Sequence, residues 1–202
     1  YTEAIRRPEV AILSIATRPD CLSPEVLDLL SELNQIKPVW IELGLQTIHP
    51  HTADYIRRGY PLSVYDTAVC ELHERGIEVI THVILGLPGE TTDDMQATAD
   101  YIAHQPIQGV KFQLLHVLKG TDLYTDYLGQ SFQTLTLDEY TDILIRCIEL
   151  MPPEMVIHRI TGDGPKNILA APDWSRNKKQ VLNHIHHCMK IRNTWQGRCY
   201  LQ

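Results

Sequence analysis

Residues 81–91, Thr81-His82-Val83-Ile84-Leu85-Gly86-Leu87-Pro88-Gly89-Glu90-Thr91, decide the fold. An apolar run of strand length stops at a turn carrying Gly86, Pro88 and Gly89. An acidic helix start, Thr92-Asp93-Asp94, follows at once. Such a turn reverses the chain sharply and lets a ligand approach backbone without meeting a Cβ. At the carboxyl end of a parallel strand it faces the crevice where α/β proteins bind ligands.

The same alternation continues on both sides. Val10 to Ala16 reads as a nearly continuous apolar strand with something paired along its outer edge, then Ser23-Pro24 opens a helix with Val26, Leu27, Leu29, Leu30 and Leu33 as its stripe. Val39 to Leu45 is a second strand, followed by a short helix over His51–Arg58 and a longer one over Val64–Arg75 closed by Gly76. Ile77 to Leu85 is the third strand, Asp93 to His104 a helix, and Gly109 to Leu115 the fourth strand. Thr136-Leu137-Asp138-Glu139 matches a capping box and opens a helix to Leu150. Met155 to Ile160 is a fifth strand; a loop, Thr161-Gly162-Asp163-Gly164-Pro165, and a terminal helix over 177–194 complete the chain. Strands separated by single helices require crossovers and a parallel sheet. An open sheet and a barrel both satisfy that pattern, but five strands do not close an ordinary α/β barrel. Either the sheet is open or strands precede Tyr1.

The 202 residues suffice for one domain or part of a larger barrel. The chain does not begin with Met, and its polar first seven residues suit a helix end better than a signal peptide. No apolar run is long enough to span a bilayer. Net charge is −7, divided into −13 over residues 1–154 and +6 over 155–202, which suits a phosphate-bearing partner or simply a solvated basic helix. Cysteines at 21, 70, 147, 188 and 199 are odd in number and irregularly spaced. That argues against a disulfide framework and for a reducing cytoplasm. The run His184–Cys188 has helical spacing for a metal, but a basic surface helix is the better reading, no zinc spacing is present, and no metal is expected in this chain.

Polar residues punctuate the strands: Arg18 and Asp20 after the first, Glu42 inside the second with Gln46 at its end, His82 in the third, His116 and Lys119 after the fourth, His158 and Arg159 in the fifth. A carboxylate within an apolar strand must be paired. Glu42 therefore either belongs to a site at a barrel mouth or forms a structural salt bridge, with Arg18 or Arg58 as the expected partner. Arg58 beside Gly59 also suits a helix-end cation. Convergence of these residues on one sheet face makes a small-molecule pocket.

Ile15-Ala16-Thr17-Arg18-Pro19-Asp20, Trp40-Ile41-Glu42-Leu43-Gly44-Leu45-Gln46-Thr47 and His82 through Thr91, with His158 through Pro165 and Trp174 through Lys178, together resemble the radical S-adenosylmethionine enzymes. The branch is that of bacterial Fe–S oxidoreductase-like proteins related to the elongator catalytic subunit and, further off, to oxygen-independent coproporphyrinogen oxidase. The resemblance covers essentially the whole chain. It implies a partial (βα)6 barrel in which residues 1–130 supply about the last four strands and 131–202 form a C-terminal α/β extension. It implies S-adenosylmethionine and one [4Fe–4S] cluster, with an electron donor such as flavodoxin or ferredoxin. It assigns cofactor contacts to Arg18, Glu42, Gln46, Arg58, His82, Ile84 and Gly86: Arg58 toward the methionine carboxylate, Gln46 toward the ribose, Val83–Gly86 along the adenine with Ile84 packed on it. Substrate contacts fall to His116, Lys119, His158, Arg159 and Asp163. A transfer RNA wobble uridine is the substrate this branch suggests, with Arg176, Lys178 and Lys179 against phosphates.

One departure stands out: the cluster motif C-x-x-x-C-x-x-C is absent. The expectation is a chain lacking the cluster-binding segment, inert by itself, with an uncovered strand edge open to self-association. Two other readings remain: a redox-independent lyase or hydrolase using Glu42 and His82 as acid and base, and a non-catalytic nucleoside-binding module.

Overall fold

The computed structural model describes residues 1–201. After a short helix α1 (Thr2–Ile5), strand β1 (Leu13–Thr17) leads into α2 (Pro24–Asn34), where the Ser23 hydroxyl accepts from the Val26 amide. Next come β2 (Val39–Gln46), α3 (Pro50–Tyr55), α4 (Leu62–Glu74), β3 (Glu78–Leu85), α5 (Thr92–Ala103) and β4 (Gly109–Leu114). A short β5 (Val117–Leu118), α6 (Asp122–Leu128), α7 (Leu137–Leu150), β6 (Val156–Arg159), β7 (Leu169–Ala171) and α8 (Lys178–Arg192) finish the chain. Both acidic helix starts form capping boxes, Thr91 with Asp94 and Thr136 with Glu139.

Five strands build one parallel sheet in the order β1-β2-β3-β4-β6, so the strand that the sequence places in the extension joins the barrel sheet itself. In β2 the residues alternate without exception. Val39, Ile41, Leu43 and Leu45 are at most 1% exposed, while Trp40, Glu42, Gly44 and Gln46 are half-buried. The first set packs into the core shared with Tyr65, Leu72, Met95, Phe112 and Leu144. The second set lines the other face. That face is concave. Trp40 on β2 and His158 on β6 are three strand spacings apart, about 14 Å in a flat sheet, yet their rings meet edge to face at 5.4 Å. Gly109 permits this, because a Cβ there would stand 2.7 Å from the His158 ring. The chain is thus an α/β partial barrel.

Three differences from the sequence reading are local. The first strand begins at Leu13, not Val10, and is not fully buried: Ser14 and Ala16 are exposed and only Ile15 is buried; it stands at the edge of the sheet, paired only with β2 among the described residues. The β5–β7 ribbon is two to three residues long, too short to show a period. Helix α6 has no buried residue, and its seven residues are too few to establish a helical period.

Candidate functional site

The concave face opens into a cleft of about 910 Å³ at the carboxyl ends of β1–β3. Its wall is built by the turn after β2. The β2–β3 register shifts between Gly44 and Gln46, and Gln46 adopts a left-handed φ of 68°. The amide of Gln46 folds back over Gly44, where a Cβ would stand 2.8 Å from Nε2. Its Oε1 is buried without a hydrogen-bond partner among the described residues. Such an atom is costly unless something supplies a donor.

Arg58 fastens this turn. It is 7% exposed; Nη1 donates to the carbonyls of Leu45 at 3.1 Å and Thr47 at 2.6 Å, and Nε to that of Tyr60 at 3.0 Å. The guanidinium lies over the Tyr60 ring, 4.9 Å from its centroid, and the Tyr60 hydroxyl donates to the Gly44 carbonyl. Burial lowers the Arg58 pKa and raises that of Tyr60. Arg18 approaches the Tyr60 ring at 5.3 Å while forking onto Asp20 at 2.9 and 2.7 Å. The turn after β3 is tied to the same structure: Thr47 donates to Glu90 Oε1 at 2.5 Å, and burial holds the Glu90 carboxyl above its ordinary range.

The floor is a polar network across four strands. Glu42 Oε1 accepts from Ser14 at 2.8 Å; Oε2 accepts from Lys111 at 2.5 Å and meets His82 Nε2 at 2.8 Å. His82 Nδ1 stands 3.0 Å from Gln113 Nε2. The side chains of Lys111, Glu42 and His82 are 15%, 17% and 19% exposed. Although burial opposes it, hydrogen bonding from Lys111, Ser14 and His82 brings the Glu42 carboxyl down to about 2. Because that carboxylate only accepts, His82 carries its proton on Nε2 and Nδ1 accepts from the Gln113 amide. Burial pushes the His82 pKa below its usual value despite Glu42, so the ring is neutral at pH 7.

Across the cleft, α6 faces α3. Tyr55 donates to Asp126 at 2.7 Å and Arg57 pairs with Asp122 at 2.7 Å. Thr121, Leu123 and Ile84 also line the cleft.

Of the residues singled out in the sequence, Arg18, Glu42, Gln46, Arg58, His82 and Ile84 line one cleft. Gly86 does not; it has φ 86° and packs on Leu135, and its amide donates to Met95 Sδ. The expected partner of Glu42, Arg18 or Arg58, is corrected to Lys111 and His82. Both arginines stand beyond Glu42 at the strand ends, Arg18 held by Asp20 and Arg58 by backbone carbonyls, whereas Lys111 reaches it across the curved face. His116, Lys119, His158, Arg159 and Asp163 lie outside the cleft lining. His116 abuts Gly162 and Gly164 with Nε2 buried and unpartnered among the described residues, Lys119 is exposed, and Arg159 is in register with Lys111. Asp163 pairs with Lys178 at 2.7 Å beside a smaller cleft of about 590 Å³ that Lys166, Arg176 and Lys179 also line. Arg176 is committed to Asp173 and to the carbonyls of Lys166 and Leu169. On α8, His184 contacts Asp138 and Cys188, and the described residues contain no group of three potential metal ligands. None of their helices is long and apolar enough to cross a membrane.

Sequence reading missed Ser14, Tyr60, Lys111 and Gln113. For Lys111 and Gln113 a signal existed, since both alternate with the apolar residues of β4 and so share its inner face.

A curved parallel sheet with its main cleft at the strand ends defines an α/β partial-barrel protein. The radical SAM superfamily model matches residues 2–102 and the radical SAM C-terminal domain model matches 107–191; the chain belongs to the radical SAM superfamily. It is 43% identical over 200 residues to the uncharacterized protein YtqA of Bacillus subtilis, covering 99% of this chain and 62% of YtqA. A protein of Methanocaldococcus jannaschii named tRNA uridine(34) acetyltransferase is 25% identical over 160 residues, 78% of this chain and 29% of that protein. The solved structure of Methanocaldococcus infernus Elp3 with an N-terminal deletion superposes with a TM-score of 0.80 at 21% identity, over 92% of this chain and 43% of that one, and shares the fold. The chain spans less than two thirds of the length of the curated relatives it matches.

Proposed function

We propose that the cleft binds S-adenosylmethionine and that the full-length protein cleaves it reductively, generating a 5′-deoxyadenosyl radical. The observation that carries this reading is the turn after β2. Gln46 is held in a left-handed conformation with a buried, unpartnered carbonyl beside the backbone of Gly44, a group preorganised for a ligand hydroxyl or amine. Ile84 supplies an apolar surface for an adenine, and the Arg18–Arg58 wall, with Arg58 Nη2 making no hydrogen bond among the described residues, supplies positive charge for an amino-acid carboxylate. The cleft volume suits a ligand of this size. Cofactor contacts are assigned to Arg18, Glu42, Gln46, Arg58, His82 and Ile84, with Gly86 only shaping the turn.

The described residues do not fit a [4Fe–4S] cluster: they offer neither the three-cysteine motif nor a cluster of ligands. No step is therefore routed through it, and residues 1–202 alone are expected to be inert. Acid–base chemistry by Glu42 and His82 is disfavoured, because both carboxylate oxygens and both ring nitrogens are already engaged. Transfer RNA is the proposed substrate. The name of the Methanocaldococcus jannaschii relative and the charge of +6 over residues 155–202 support it. His116, Lys119, His158, Arg159 and Asp163 are assigned to that substrate, and Lys166, Lys178 and Lys179 to its phosphates. Residues 1–130 and 131–202 are read as barrel and extension.

The test is anaerobic incubation of the full-length protein with reductant and S-adenosylmethionine. 5′-Deoxyadenosine is expected, and Ile84→Asp should abolish it. A wild-type protein with its cluster intact that forms none overturns the reading.

A further inference from the structure

Of the network residues Ser14, Lys111 and Gln113, which make no proposed ligand contact, only Lys111 is charged. Lys111 is 15% exposed, belongs to β4, and reaches past β3 to Glu42 on β2. We propose that Lys111 is a positioning residue of the cleft: by compensating Glu42 it keeps His82 uncharged and in a single tautomer, so that the floor presents a neutral imidazole to the bound ligand. This inference rests on the cleft being the cofactor site.

The geometry carries the argument. Glu42 Oε2 is shared by Lys111 and His82, so two donors compete for one acceptor and only one needs to be a cation. Lys111 is that cation, with the shorter contact, 2.5 Å against 2.8 Å. His82 is left to donate from Nε2 as a neutral ring, and Gln113 fixes the other nitrogen at 3.0 Å as an acceptor. A doubly protonated ring would lose this bond to the Gln113 nitrogen and would need the amide to turn its oxygen inward instead. Other charges facing His82 act in the same sense: Arg159 and Lys111 both disfavour its protonation, and Glu42 alone favours it. His158 on that face is pushed down by burial and by Lys111, with Glu42 and Glu78 opposing the shift.

A neutral floor matters for the proposed ligand. S-adenosylmethionine carries a sulfonium cation, and its demethylated thioether, S-adenosylhomocysteine, does not. A protonated His82 in a half-buried cleft repels the first more than the second. Without Lys111, the buried Glu42 carboxylate recruits a proton onto His82, so the imidazolium persists to higher pH.

The experiment uses full-length protein in wild-type, Lys111→Met, Lys111→Arg and Glu42→Gln/Lys111→Met forms. Ring ¹⁵N spectra of ligand-free protein follow the His82 tautomer and titration. Affinities for S-adenosylmethionine and S-adenosylhomocysteine are measured from about pH 6 to about pH 8.5, from just below the ordinary histidine pKa of about 6.5 to about two units above it. Wild-type and Lys111→Arg should show one neutral tautomer throughout and affinities flat with pH. Lys111→Met should show His82 protonating near neutrality, with a loss on the order of tenfold in S-adenosylmethionine affinity at low pH that the thioether does not share. The double variant, folded without either charge, should lose that pH dependence. An unchanged His82 spectrum in Lys111→Met overturns the inference, and so does an equal loss for both ligands. Failure of wild type to bind either ligand, with the His82 titration as described, would instead overturn the cofactor reading alone.

Discussion

Residues 39–60 and 155–176 are of equal length and both carry arginine, histidine or glutamine among apolar strand residues, but the fold treats them differently. In the first stretch one strand face is fully buried, and the opposite face meets the Glu42 network and the Arg58 clamp. In the second, β6 is four residues long, Val156 is 54% exposed, and the ladder with β4 shifts at Val110/Lys111. Its Asp163–Lys178 pair is about half-exposed. The lesson is one of dielectric. The same residue types are rigidifying where water is excluded and nearly neutral where it is not.

Three measurements break or sharpen this contrast. The largest effect is expected from Arg58→Ala, which strips donors from the carbonyls of Leu45, Thr47 and Tyr60 and empties buried volume. A loss of about 4 kcal/mol in urea unfolding is expected. A loss below about 1 kcal/mol would show that the turn holds without its clamp. Next is the acid limb. The folded Glu42 carboxyl is depressed from 4.5 to about 2, so its stabilisation is complete above the unfolded value and lost as pH falls through about 2. Unfolding free energy should therefore decline between about pH 5 and pH 2 by on the order of 3 kcal/mol from this group. Glu42→Gln should flatten that part of the profile, and an unchanged slope would count against it. The smallest effect belongs to Val156→Thr on β6, where more than half the side chain is already in water. A shift within about 0.5 kcal/mol is expected; a larger one would mean that β6 is covered by something outside the described residues.

What could be read before folding follows from locality. The capping box at Thr136 and the strand–turn–helix at 81–94 are statements about neighbours a few residues apart, and they appear as expected; the box at Thr91 was equally local but went unread. The alternation of β2 is equally local. Arg18, Glu42, Gln46 and His82 stood out because polar groups in and after apolar strands are unusual, Arg58 and Ile84 entered through the family resemblance, and one cleft gathers all six. Gly86 stood out for its turn, and there it stays.

The sequence by itself determined the order of elements, the parallel sheet and which face of each strand is apolar, since these depend on periods of 2 and 3.6 and on turn chemistry. Only the tertiary structure decided that Lys111, rather than an arginine, answers Glu42, that Arg58 is buried on carbonyls, and that Trp40 meets His158. Those contacts depend on how far the sheet curls. Curvature is a property of five strands together, which no stretch of chain records alone.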